Sequence, residues 1–383
     1  MVNHSSLYIG IDFDQSKMQI SYYNPHTKEI EPYKEQKDSE STILSIERYF
    51  TPKNTKWYHN LRFVKWLKGK ITLIKEQLGC ETIGCLCLTQ KYIDTDFYEW
   101  LDTFAQESEI PRERIICMNH CNAFLHYILG EGKDVYSRKI GIFDFNYEGM
   151  EYYQYEMANI SKKQLFALQK ESYQDKLSIE DYRTNQDKTM DQAFTSIIKE
   201  TVMKEGAQLA FLVGEGFERD WEVESIKLLC QNKRVFKGQN LYVKGAVRAA
   251  RKEKESLLDE DTFVFAPGLL PYHIGLHLSD EENQIKWLIQ AGTPWYQRFG
   301  QIEVILNHTN TLRFVQKHVV TKEEKEFQIE LLGLPKRPNK TTRLEIDFSF
   351  QSEEAGQVLV KDLGFGQMYP TTNRIFRKEI SLL

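Results

Sequence analysis

Apolar residues first run and then alternate along the opening stretch. Leu7 to Tyr23 reads as an apolar strand ending in Gly10-Ile11-Asp12, a tight polar turn, and a second alternating strand, a pattern that predicts a β-hairpin. Ile83 to Leu88 is a short apolar run, and Asp96 to Phe104 has the spacing of an amphipathic helix. Arg114 to Met118 is apolar again and leads into helical Ala123 to Leu129. Lys65, Lys68 and Lys70 fall on the solvated face of a helix that carries Trp66 and Leu67 inward, and Met190 to Glu205 also predicts a helix. Leu209 to Val213 has a buried-strand pattern before Gly214-Glu215-Gly216, and Asp220 stands where it would cap a helix running through Trp221, Ile226 and Leu229. Strand and helix patterns thus alternate to about residue 250, which predicts an α/β domain.

After Ala250 the period changes. A charged stretch, Arg251 to Ser256 and then Asp259 to Asp261, separates the helical region from one of period-two strands. These run over Gln284–Ile289, Gln301–Leu306 and Thr311–Val320, with turns at Gly292 to Pro294 and Asn307 to Asn310. In Arg343 to Phe350 the residues Leu344, Ile346, Phe348 and Phe350 share one face, the mark of a half-buried antiparallel strand. The expected domains are residues 1–255, α/β, and 256–383, an all-β sandwich. No internal repeat is evident. The run Arg248 to Lys254 reads as a solvated helix end or linker, and Tyr147, Tyr152, Tyr153 and Tyr155 read as cross-strand packing on a hairpin.

Composition narrows the function. The chain has 383 residues, 41% of them hydrophobic, enough for more than one core. A formal net charge of -5 gives no basic footprint, so no nucleic-acid partner is expected. No apolar stretch has the length of a membrane span and the first residues lack a signal-peptide layout, which points to a cytoplasmic protein with no membrane partner. The six cysteines, among them the closely spaced Cys85 and Cys87 and Cys117 and Cys121, lie in apolar context and read as reduced, buried thiols.

The hairpin at Gly10, Ile11 and Asp12 resembles the first phosphate loop of the actin-like ATPases, with Asp14, Gln15 and Ser16 in place of the usual Gly-Thr-Thr. Asn119-His-Cys-Asn-Ala-Phe-Leu-His-Tyr127 resembles the Asn-Glu-Pro-Thr-Ala segment of the heat-shock protein 70 chaperones, with Asn119 and Ala123 in register. His120 replaces that family's catalytic-water Glu, and reads as a satisfied structural imidazole rather than a base. Asp144-Phe-Asn-Tyr-Glu-Gly149 stands where the second phosphate loop would lie, and keeps only the Asp. Gly214 and Gly216 resemble the adenosine turn, and Gly245-Ala246 resembles the pair in the closing helix.

The resemblance implies a site that contacts ATP or ADP through Gly10, Asp12, Asp14, Ser16, Asp144, Gly214 and Gly216, with magnesium held through water by Asp12 and Asp144. Departures from the motif count against that chemistry. The second loop lacks the glycines that bring backbone N–H groups to phosphate, while Tyr147 and Glu148 add bulk and charge. A carboxylate about 4 Å from a phosphate costs about 4 kcal/mol per unit charge at an effective dielectric near 20. Only about seventy residues join Asp144 to Gly214, too few for the subdomain that clamps adenine in the family.

Leu270-Pro-Tyr-His-Ile-Gly-Leu276, Phe327 to Pro338, Leu344 to Phe350 and Val358 to Gly364 resemble the same chaperones' β-sandwich peptide-binding domain. That implies a cleft, whose candidate residues are Ile274, Leu276, Ile285, Trp287, Ile302 and Val304, gripping an extended peptide or protein segment. The residues after Gly364 are too few for the family's helical lid. The expectation is a shortened, degenerate member: a non-hydrolysing, chaperone-like scaffold, more a pseudo-ATPase than an enzyme. An ATP-dependent chaperone with an altered nucleotide site, and a structural actin-like protein, are the other readings.

Overall fold

A computed structural model describes residues 6–35, 41–50, 56–160, 163–231, 233–255, 262–278 and 284–382. The chain divides into two compact units, Met1–Thr262 and Phe263–Leu383. Part of the charged stretch seen in the sequence, residues 256–261, lies outside the described residues.

In the first unit the expected hairpin is present as β1 (Ser6–Asp14) and β2 (Lys17–Tyr23), paired antiparallel from Asp14 and Lys17 to Ile9 and Tyr22. Gln15 turns the chain with φ of 51°. β3 (Ile30–Pro32) and β4 (Ile43–Ser45) both pair with β2. Helix α1 (Leu61–Gln77) leads to β5 (Thr82–Gln90), which runs parallel to β1. α2 (Thr95–Ser108) then crosses to β6 (Ile115–Asn119), parallel to β5. The second sheet follows α3 (His120–Gly130) and the short α4 (Lys133–Tyr136). β7 (Ile140–Asn146), β8 (Gly149–Ile160) and β9 (Lys163–Ser172) form an antiparallel meander. Helices α5 (Ile179–Arg183) and α6 (Asp187–Ile198) lead to β10 (Leu209–Val213), parallel to β7. α7 (Val223–Cys230) leads to β11 (Arg234–Lys237), parallel to β10, and α8 (Leu241–Glu255) closes the unit.

The two sheets therefore share one plan. In each, an antiparallel meander supplies the first three strands, and two further strands add in parallel on the other side of the first, giving β3-β2-β1-β5-β6 and β9-β8-β7-β10-β11. This doubled plan is that of the actin-like ATPase fold. The correspondence is one of backbone pairing and has no counterpart in a repeat of the sequence.

Several local readings of the sequence are corrected by tertiary contacts. The helix expected to run to Glu205 does so, but with a π-helical turn over Lys199–Met203 inserted between α-helical segments, where buried Thr201 donates its hydroxyl to the Ile197 carbonyl at 2.6 Å. Asp220 does not cap α7; it pairs with Lys237, and Asp191 of α6 instead accepts from the Glu224 and Ser225 amides. Arg248 is not a solvated helix end, since it binds the Tyr127 carbonyl and pairs with Glu131 at the end of α3. The tyrosines Tyr152, Tyr153 and Tyr155 are buried in the β7–β8 hairpin, with Tyr147 half-buried at its turn.

Two glycines fix α8. A Cβ on Gly245 would lie 1.8 Å from the Ala123 carbonyl oxygen, and one on Gly10 would lie 2.5 Å from that of Val243. Only glycine lets α8 seat this closely on α3 and β1.

After β12 (Thr262–Phe265), the second unit holds β13 (Tyr272–His277), β14 (Ile285–Ile289), β15 (Ile302–Ile305) and β16 (Thr311–His318). β17 (Glu324–Glu330), β18 (Arg343–Phe350), β19 (Ala355–Gly364) and β20 (Ile375–Ser381) complete it. Two antiparallel four-stranded sheets, β14-β13-β16-β17 and β15-β18-β19-β20, share a core of Ile274, Phe314, Ile346, Phe348 and Val360. β18 alternates as its pattern requires, with Leu344, Ile346, Phe348 and Phe350 all buried. Asp362 on β19 is fully buried and accepts two bonds of 2.8 Å from Arg337, with further bonds from the Gly364 and Thr372 amides. That ion pair ties the β17–β18 connection to the loop after β19.

Candidate functional site

Asp12 and Asp144 occupy corresponding places, near the carboxyl ends of β1 and β7, the first strands of the two sheets. Between them stand two aromatic side chains. His120 opens α3, whose N-terminus is capped by Asn119 accepting from the Asn122 amide at 2.9 Å. Its Nε2 lies 2.7 Å from Asp12 Oδ1. Tyr242, near the start of α8, donates to Asp144 Oδ2 at 2.8 Å. The imidazole and phenol rings stack, with centroids 4.2 Å apart and planes within 9°. Three of these side chains are interior, with Asp12 and His120 each 7% exposed and Asp144 2%, while Tyr242 is half-buried.

Charge explains why this cluster holds. Burial works against a charged His120, but the adjacent Asp12 carboxylate and its hydrogen bond, with Asp144 and Asp14 nearby, raise its pKa above the ordinary histidine value. Burial raises Asp144, opposed by His120 and by the Tyr242 hydroxyl. Burial also drives Tyr242 well above its usual range, with Asp144 adding to it, so the phenol stays a donor. A second cation, Lys91, reaches in from the end of β5 and binds Asn146 at 2.9 Å and Glu148 at 2.5 Å, with Glu151 at 3.2 Å. Glu148 is therefore neutralised by Lys91 and does not present a free charge, contrary to the reading of the second loop as a repulsive one.

Asp14 is different. Its carboxylate makes no hydrogen bond or ion pair among the described residues. Burial, with Asp12, Asp144 and Glu215 adding and His120 opposing, pushes it up to about 6.

The structure brings together part of the expected nucleotide set. Asp12, Asp14, Asp144 and Gly214 line one cavity, with Lys17, Lys91, His120, Gln239 and Tyr242. Ser16 instead lines a neighbouring cavity that Asp14 also reaches. Gly10 lies against α8, as above. Gly214 has φ of 97°, and a Cβ there would meet the Phe145 carbonyl at 2.5 Å, while one on Gly216 would strike the Phe145 ring at 2.2 Å. These glycines serve close packing against Phe145, not an open phosphate cradle. Lys65, Lys68 and Lys70 line neither cavity; Lys68 pairs with Glu109 and Lys70 with Glu35.

Magnesium does not fit the residues present. Both carboxylates that would hold the metal are engaged by protein donors, and among the described residues no group of three or more His, Cys, Asp or Glu could hold a metal ion. The enclosed space is about 50 Å³, within a funnel of about 630 Å³ that includes open solvent. Small-molecule sites usually need roughly 300–1,000 Å³.

In the β-sandwich the six cleft candidates do not meet on one surface. Ile274 and Leu276 are core residues, and Ile302 and Val304 pack against that core from the other sheet. Trp287, 43% exposed, pairs across with Gly275 and lies against His273 on the opposite face of its sheet, as does Ile285 opposite His277. The sequence reading passed over Lys91 and Tyr242. A lysine directly after a buried parallel strand was a usable signal for the first; nothing local marks the second.

Strand plan and site together define an actin-like ATPase-fold domain in which the two strand-end carboxylates, Asp12 and Asp144, are bonded to its own side chains. Residues 51–266 match the family of unknown function DUF5716, C-terminal, and the chain belongs to that family. Residues 269–382 match the domain of unknown function DUF8552. No curated protein matches the chain. Among solved structures, it is similar to the ROK hexokinase from Thermus thermophilus at 10% identity and a TM-score of 0.41, over 65% of this chain and 99% of that one. It is also similar to the ethanolamine utilization protein EutJ from Carboxydothermus hydrogenoformans, at 10% identity and a TM-score of 0.40, over 64% and 90%. The Aquifex aeolicus Ppx/GppA phosphatase is similar at 11% identity and a TM-score of 0.35, over 55% and 68%.

Proposed function

We propose that this protein is a non-hydrolysing relative of the actin-like ATPases that acts by binding a protein or peptide partner, as a chaperone-like scaffold. One observation carries the reading. The Asp12–His120 pair and the Tyr242–Asp144 bond fill the space where the fold would place metal and phosphates. An ammonium or imidazolium beside a carboxylate supplies the charge that a divalent cation would bring, and here it is built into the chain. The β-sandwich, with its sequence resemblance to a chaperone peptide-binding domain, supports the choice of a polypeptide as partner. Among the described residues no helix is long and apolar enough to cross a membrane, in keeping with a proposed cytoplasmic location.

The test is calorimetric titration of the full chain with Mg-ATP, paired with a phosphate-release assay. No binding at millimolar ATP and no turnover are expected. Hydrolysis that Asp12→Asn abolishes would refute the proposal.

A further inference from the structure

A second cavity, of about 530 Å³, opens beside the closed cleft. Its size is that of a small-molecule or side-chain pocket. Its walls are aromatic: Trp57, buried with its ring centroid 4.1 Å from that of Phe13, together with Phe50 and Tyr147. Two carboxylates face it, Asp14 and Glu47, and neither has a hydrogen-bond or ion-pair partner among the described residues. Lys91 also lines it, but its ammonium is already satisfied by Asn146, Glu148 and Glu151 and offers no free charge. The pocket thus combines π faces with two carboxylates that have no hydrogen-bond or ion-pair partner among the described residues.

We propose that this cavity binds a guanidinium or alkylammonium cation, its apolar stem against Trp57 and Phe50 and its charge against Asp14 and Glu47. Aromatic faces attract cations through the ring quadrupole, and a desolvated carboxylate without a partner gains more from a cation than from a neutral ligand. A neutral polyol would satisfy the oxygens of Asp14 but leave the charge uncompensated. The cation comes either from an arginine of a polypeptide or from a free small molecule; the chemistry is shared. Asp14 and Lys91 line both this pocket and the neighbouring cleft, so a cation held here shares them with any occupant of that cleft.

The experiment is calorimetric titration of the full chain with three probes: Nα-acetyl-arginine methylamide, the free cation agmatine, and the neutral isostere Nα-acetyl-citrulline methylamide. Saturable binding of either cation, with the citrulline compound roughly tenfold weaker or more, is expected. Preference for the acetylated amide assigns the source to a polypeptide, and preference for agmatine to a small molecule. Asp14→Asn should weaken the cation about tenfold, and Glu47→Gln, at an exposed position, by less. Asp14→Asn removes a buried-charge cost and should leave the fold intact, which circular dichroism checks. Equal binding of the citrulline compound, unchanged affinity in Asp14→Asn, or no heat with either cation at millimolar concentration would overturn the proposal.

Discussion

Replacing Asp14 by Asn should stabilise the first domain at neutral pH, and by an amount that disappears in acid. The carboxylate has no partner among the described residues, and burial with three neighbouring carboxylates pushes its pKa from 3.8 up to about 6. Each tenfold change in proton affinity corresponds to about 1.4 kcal/mol, so the ionised group costs on the order of 3 kcal/mol, an upper bound that partial solvent access reduces to roughly 1–3. The sign follows from proton linkage. Because the folded pKa lies above the unfolded one, the native state holds the proton more tightly, and stability falls as pH rises from about 4 through 6. Asn lacks the charge and should escape that loss. The assay is urea unfolding of wild type and Asp14→Asn at pH 7.5 and pH 4, followed by the transition of the first domain. A gain at pH 7.5 that vanishes at pH 4 is expected. An equal gain at both values, or a loss at pH 7.5, would refute the electrostatic account.

The interior pairs should behave in the opposite way. His120→Leu leaves Asp12 buried without its partner and should cost about 3–5 kcal/mol in the same unfolding assay, whereas Tyr242→Phe, which removes one donor to Asp144, should cost about 1–3. Loss below 1 kcal/mol in His120→Leu would refute the dependence of Asp12 on His120. In the sandwich, Asp362→Asn should lower stability by about 3–5 kcal/mol, because Arg337 loses its bidentate acceptor and the loop after β19 loses its anchor. Hydrogen bonds from Arg337 and Thr372 outweigh burial and hold the Asp362 carboxyl well below the usual range, so this contribution is present at neutral pH and is lost as pH falls through the acid range. Retention of full stability by Asp362→Asn would count against it.

A buried carboxylate without a partner is a common mark of a functional position. Asp14 has none among the described residues. His120 and Asp144 are perturbed as well, yet each is bonded to a partner within the protein.

The sequence by itself determined the elements and the chemistry available. The hairpin that carries Asp12, the β5–α2–β6–α3 succession and the alternation of β18 follow from local periodicity, because a half-buried strand or helix must repeat its apolar side with its own geometry. It also carried Asp12, Asp14, Asp144 and Gly214, whose order along the chain pointed to one cleft. Tertiary structure decided what that cleft is. His120 and Tyr242 are 122 positions apart and meet only because Gly245 lets α8 close onto α3. Likewise Glu148 looked like a repulsive charge until Lys91, from a different sheet, was placed beside it. Whether a buried charge is a cost, a pair or a site depends on partners brought together across long stretches of chain, and such pairings leave no mark in local pattern.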